Sequence, residues 1–248
     1  MKTTLLLLSL SSLALGVHAA DISTYDVGDM KLVRIVDGEN GVPVNMLYGN
    51  KELLHKLVPS GVCPNLITSY VLKTPDGLLL IDSGFGDFAP SRMLENFRKA
   101  GFSTADVKTV LFTHLHGDHI GGLMKGDRKV FPNAVLYVSA KELAFWKNRS
   151  NLSKVPESMR YCFEAVEKLL RLYGDQIKTF RKGEAVVPWL KPISVAGHTA
   201  GHTMFELDYK GEKRFIWADV LHCLDVQVRH PEISSAFDTD PEEAKRAR

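Results

Sequence analysis

The sequence predicts a single mixed α+β domain. The observations behind this are short apolar and β-branched runs alternating with stretches of helical periodicity, turn signals between them, and a 248-residue length suited to one large core. Strand-like runs occur at Met30 to Val36 and Leu66 to Leu72, and Asp76-Gly77 separates the second from Leu78 to Ile81, giving a hairpin that ends at Asp82-Ser83-Gly84. From Pro90 to Ala100 the apolar residues Met93, Leu94 and Phe97 have helical spacing, and Gly101 is placed to stop the helix. Val107 to Phe112 is a further strand that runs directly into Thr113-His114. A strand near Ala134 to Val138 then leads to a helix opened by Ser139, with Glu142 as its capping-box partner, and to a long helical stretch from about Glu157 to Tyr173. Short strands follow at Ile193 to Val195, Thr203 to Tyr209 and Arg214 to Trp217, the last two joined across Lys210-Gly211. No internal repeat or Pro/Ser-rich linker divides the chain, so residues 20–248 are read as one domain.

Residues 1–19 stand apart from that domain. Met1-Lys2 is a positive start, Leu5 to Leu15 an apolar run, and Val17-His18-Ala19 a small-residue cleavage site, the pattern of a secretory signal peptide. The run is shorter than the ~20 residues that span a bilayer, so export to the periplasm or medium is expected, with no stable membrane anchor. Cys63, Cys162 and Cys223 have neither zinc-finger nor redox spacing; they read as small buried residues or as one disulfide with a thiol left over. A formal charge of +2 with scattered basic residues gives no reason to expect a nucleic-acid partner, and the expected substrate is a small molecule. No interface signature is legible. Asp240-Pro241-Glu242-Glu243 has the capping carboxylate, first-turn proline and early acidic residues of a helix start. The sequence stops five residues beyond it, which reads as a C-terminally shortened form of a longer protein.

The chemistry concentrates in Thr113-His114-Leu115-His116-Gly117-Asp118-His119, where four potential ligands follow a strand within six residues. Neutral imidazole and carboxylate groups suit zinc and similar divalent ions, and such a cluster would be poorly satisfied without one. Gly117 is expected to permit a tight local backbone, and Gly121-Gly122 a close approach behind it. Gly197-His198-Thr199-Ala200-Gly201-His202 follows another apolar strand, and Ile216-Trp217-Ala218-Asp219 ends a third, so each presents a ligand at a strand mouth. His202 is open to two readings, support behind a ligand or a surface histidine. Phe85, Phe88, Trp146 and Met159 are candidates for an apolar substrate wall, although such residues are more often core. Ser83 lacks a nucleophile elbow, and the Asp82-Ser83-Gly84 turn reads as structural support.

With these residues in view, the chain resembles the metallo-β-lactamase superfamily, whose HxHxDH motif is matched by His114 to His119. The resemblance runs from the hairpin through Asp219 and implies a four-layer αββα sandwich lacking its last C-terminal elements. It implies two divalent ions, zinc first among the candidates: His114, His116 and His198 would hold one, Asp118 and His119 would belong to the second, and Asp219 would bridge them. Asp118 would also relay a proton, as the one catalytic side chain. The implied activity is metal-dependent hydrolysis of a small ester, lactone or phosphotriester by a hydroxide shared between the ions. True β-lactamases of the fold commonly carry cysteine at the position of Asp219, so the chain is more similar to the methyl parathion hydrolase and quorum-quenching lactonase-like group. That likeness also rests on Ala218 to His222 and on Phe237-Asp238-Thr239-Asp240-Pro241. One departure stands out. Two-metal members take a final histidine from beyond the bridging aspartate, and neither His222 nor His230 sits in a matching motif, although His222 is placed to support Asp219. The alternative is therefore a degenerate, non-catalytic metal-binding member of the same fold.

Overall fold

The computed structural model describes residues 20–74 and 77–248. The expected signal peptide and Asp76 of the expected hairpin turn lie outside the described residues. Strands β1 (Ile22–Val27), β2 (Met30–Glu39), β3 (Leu66–Thr74), β4 (Gly77–Ile81), β5 (Val107–Leu111), β6 (Val135–Ser139) and β7 (Ile177–Phe180) form a seven-stranded sheet in sequential order. The first four pair antiparallel, with β3 and β4 the expected hairpin (Leu72 opposite Leu79), whereas β4, β5, β6 and β7 pair parallel. A second, antiparallel sheet holds β8 (Leu190–Ser194), β9 (Thr203–Tyr209) and β10 (Glu212–Ile216). Lys210 and Gly211 join its last two strands with φ of 52° and 82°, the left-handed pair that a two-residue hairpin of this twist requires.

The unbroken apolar run of β4 reflects burial on both faces. Leu78 and Leu80 pack with Met93 and Phe97 of α2 (Met93–Lys99) and with Phe163 and Val166 of α5 (Tyr161–Tyr173). Leu79 and Ile81 face Phe205, Leu207 and Ile216 of the second sheet. Helices therefore cover one face of the large sheet and the small sheet covers the other, the α+β sandwich that was expected. The outer face of the small sheet carries Lys213 in ion pairs with Glu206 and Asp208. Among the described residues no helix is long and apolar enough to cross a membrane.

Several local expectations change. The long helical stretch is divided into a 3₁₀ turn (Glu157–Met159) and α5, which Gly174 closes with φ of 44°. Ser139 makes no side-chain cap to α4 (Ala140–Lys147), and Glu142 makes its hydrogen bonds elsewhere, so the capping box does not form. The edge strands β1 and β7 and α1 (Lys51–Leu57), capped by the Asn50 side chain on Leu53 N–H, have no counterpart in the sequence reading. Asp240 caps the last helix, α7 (Pro241–Ala247), by accepting from Glu243 N–H at 2.9 Å, as its sequence predicts.

Of the two readings open for the cysteines, both are realised: Cys63 and Cys223 form a disulfide, while Cys162 is a buried free thiol. The bridge lies in a small apolar cluster with Val42, Leu54, Val226 and Ile233, and ties the segment ahead of β3 to α6 (Leu224–Gln227). It closes a loop of 160 residues, so it restricts the unfolded chain strongly. Cys63→Ser/Cys223→Ser is expected to lose about 2–5 kcal/mol of stability in denaturant titrations. An unchanged midpoint would show that the bridge adds nothing to the folded state.

Candidate metal centre

The site forms where strand ends of both sheets meet. β4 ends at Asp82, which adopts a left-handed φ of 56°, a strained setting for a non-glycine residue. Its carboxylate accepts from Thr113 N–H (2.9 Å) and Thr113 Oγ1 (2.7 Å), and pairs with His119 Nδ1 at 2.8 Å. The chain leaving β5 is thereby held as it turns into the one-turn helix α3 (Gly117–Ile120). Ser83 adds two bonds to His119 C=O, from its N–H (2.8 Å) and Oγ (2.9 Å), the support expected of that turn.

The glycines around this turn answer to space. A Cβ on Gly121 or Gly122 would lie 1.9 Å from the carbonyl oxygens of Phe85 and Ser83 respectively, so the two loops could not meet. Gly117 has no left-handed φ, and a Cβ there would strike the Tyr161 ring at 2.6 Å. Its absent side chain makes room for Tyr161.

Three imidazoles converge on one point. His198 Nε2 lies 3.2 Å from His114 Nε2 and 3.0 Å from His116 Nδ1, all three rings being buried. His198 is aimed by Asp238, whose Oδ1 lies 3.3 Å from its Nδ1, and Asp238 is fixed in turn by Ser235 N–H (2.8 Å) and Arg248 (2.6 Å). Asp219, preceded by Ala218 at a left-handed φ of 48°, turns its two oxygens in different directions. Oδ1 is 3.4 Å from His119 Nε2; Oδ2 is 3.6 Å from His198 Nε2 and 3.4 Å from His222 Nε2. Asp118 Oδ2 stands 3.6 Å from His119 Nε2. All six residues singled out from the sequence thus meet at one place.

His222, which the sequence reading did not promote, joins them: His198, Asp219 and His222 form a compact donor group, beside His114-His116-His198 and His114-His119-Asp219. Its position three residues after Asp219 was the available signal. His202 is not a surface residue; it is buried and its Nε2 accepts from Asp219 N–H at 3.3 Å. Among the wall candidates, Trp146 and Met159 are core, while Phe88 remains exposed in edge-on contact with Tyr161, 5.9 Å between centroids.

Burial pushes the His114 and His116 imidazoles well below their usual value, and neighbouring imidazoles push them further, which favours the neutral rings that can ligate a cation. Burial acts on His119 in the same sense, but Asp219, Asp118 and Asp82 outweigh it and raise it well above that value. Asp219 is held well below the usual carboxylate range: burial raises it, and His119, with help from His222, lowers it more. Asp118 is raised, chiefly by burial. Several buried nitrogens, His116 Nε2, His119 Nε2 and both of His222, have no hydrogen-bond partner. Converging neutral imidazoles, an ionised carboxylate between them and orphaned nitrogens fit a divalent cation well.

A two-sheet α+β sandwich with a histidine and aspartate cluster at its strand ends is the scaffold of a metallo-hydrolase. The metallo-beta-lactamase superfamily profile matches residues 64–246, and the chain belongs to that superfamily. Probable metallo-hydrolases of Mycobacterium bovis and Mycobacterium tuberculosis are each 27% identical over 232 residues, covering 79% of this chain and 67% of theirs. Among solved structures, AbOPH, a hydrolase in the beta lactamase superfamily, is 29% identical with a TM-score of 0.82, covering 93% of this chain and 84% of that one. AidC, a dizinc quorum-quenching lactonase in complex with a product, is 25% identical with a TM-score of 0.83, covering 91% and 83%.

The close packing behind the centre makes Gly122→Ala a sharp probe. It is expected to cost about 2–3 kcal/mol, the usual scale for forcing extra atoms into a packed interior. A thermal melt within a degree of wild type would show that the Ser83 loop yields freely.

Proposed function

We propose that this chain is an exported metal-dependent hydrolase of a small ester-like substrate, a lactone or a phosphotriester. The observation that carries the reading is the meeting of three imidazole nitrogens, His114 Nε2 and His116 Nδ1 within 3.0–3.2 Å of His198 Nε2, beside a carboxylate with an oxygen turned to each side. His114, His116 and His198 would hold one divalent ion. Asp118 and His119 would belong to a second, with Asp219 shared between the two and zinc the favoured metal. His222, 3.4 Å from the same Asp219 oxygen that faces His198, flanks the shared carboxylate on the first ion's side. The likeness to AidC, itself a dizinc lactonase, supports both the metal count and the ester-like substrate. The Cys63–Cys223 disulfide supports export, since such bonds persist in oxidising compartments.

When bound, divalent ions acidify water and polarise the carbonyl or phosphoryl oxygen that gains charge. The side chains prepare the rest. Asp82 and Asp238 orient His119 and His198, which leaves His119 Nε2 and His198 Nε2 facing the centre. Asp118, partly exposed and with its carboxyl raised by burial, is placed to accept a proton at Oδ2 and pass it to solvent or to a leaving group. Phe88 and Tyr161 offer an apolar edge beside Gly117 for an acyl or aryl group.

The mature protein is expected to hydrolyse a chromogenic lactone or phosphotriester, to lose that activity to a chelator and to regain it with zinc. Full metal occupancy without turnover of either class would instead support the non-catalytic alternative. Elemental mass spectrometry is expected to find a metal-to-protein ratio near two, falling toward one in His119→Ala. A variant that keeps the wild-type ratio would exclude His119 as a ligand.

A further inference from the structure

Glu142 is a buried carboxylate that the proposed chemistry does not use. It lies in α4, away from the converging nitrogens, yet it receives four hydrogen bonds. Oε1 accepts from Leu115 N–H at 3.0 Å and Trp146 Nε1–H at 2.7 Å; Oε2 accepts from Thr199 Oγ1–H at 2.8 Å and Gly201 N–H at 2.7 Å. Leu115 sits between His114 and His116, and Thr199 directly follows His198. One carboxylate therefore joins two loops that come from different sheets and carry the three convergent histidines.

The donor pattern is specific to an ionised acid. Each oxygen faces two donors, and a glutamine would have to turn its NH₂ toward one of those pairs. Burying a carboxylate costs several kcal/mol unless its lone pairs are satisfied, and here all four donors come from protein. The fit is also tight: a Cβ on Gly201 would lie 2.4 Å from Glu142 N, so the second loop rests against the α4 backbone. Neither Leu115 N–H nor Gly201 N–H belongs to a strand or helix ladder, so without Glu142 both would be left without a partner.

We propose that Glu142 is the positioning residue of the three-histidine site, a clamp that sets the distance between the His114-His116 loop and His198. The inference rests on reading those histidines as metal ligands. Groups that orient ligands from behind typically govern metal affinity by about 10–100-fold when removed, and a clamp across two loops belongs to that class.

The test uses the mature full chain as wild type, Glu142→Gln, Thr199→Val and Val166→Ala. Val166 is a buried α5 residue outside both loops and serves as a control for plain destabilisation. Each protein is melted, titrated with zinc against a chromogenic chelator, and loaded with cobalt(II) for its visible spectrum. Glu142→Gln is expected to lose about 10–100-fold in zinc affinity and to change the cobalt band intensity. Val166→Ala should melt earlier with both readouts unchanged. If Glu142→Gln fails to fold, Thr199→Val, which removes one donor and leaves no charge unpaired, should still weaken zinc by roughly 3–10-fold, a fraction of the full clamp effect. Wild-type affinity and spectrum in Glu142→Gln, or in Thr199→Val where the first variant is unfolded, would overturn the clamp alone. A wild-type protein that takes up neither ion would overturn the metal reading and the clamp with it.

Discussion

Everything at the site end of this molecule depends on holding buried imidazole nitrogens closer together than they would settle by themselves. His114 Nε2 and His116 Nδ1 stand 3.2 and 3.0 Å from His198 Nε2, so three ring nitrogens crowd one point. Such an arrangement is unfavourable until a cation enters, so the fold must supply the restraint in advance. It does so with carboxylates placed one layer behind the rings. Asp82 grips His119 and Thr113, Asp238 grips His198, and Glu142 spans the two loops. Each anchor is held by several donors, which is how a buried negative charge persists in a protein interior.

That restraint is stored at the expense of local comfort. Asp82 and Ala218 both take left-handed backbone conformations immediately before or behind groups that face the centre. Gly121 and Gly122 bring backbone against backbone where any side chain would collide. These features are tolerated because both faces of the large sheet are buried, against α2 and α5 on one side and the small sheet on the other. The site occupies the end of a rigid two-core body, so small displacements of its loops are resisted by packing well away from it.

The small apolar cluster around the disulfide extends the same logic to the last part of the site. Cys223 follows His222 directly, and Gln227 Oε1 accepts from the backbone N–H groups of both, at 2.7 and 3.0 Å. The covalent link to Cys63 and the Gln227 contact together fix the turn on which His222 approaches Asp219.

Much was legible in the residues alone. The strand runs, the β3–β4 hairpin, the Lys210-Gly211 turn and the HxHxDH cluster are local patterns, set by backbone sterics, hydrophobic period and ligand chemistry within a few residues. Edge strands β1 and β7 escaped because their few apolar residues become strand only by pairing with β2 and β6. Glu142 was misread because Ser-x-x-Glu is a capping signature in isolation, and a carboxylate pulled by three donors from two distant loops leaves no local trace. His222 and Asp238 were visible as residue types, but their roles depend on Asp219 and His198, which the chain brings near only after both sheets have closed. The sequence by itself determined which donors exist and which strands present them. The tertiary structure decided which of them converge and what holds them there, because hydrogen bonds between distant loops exist only once the core has packed.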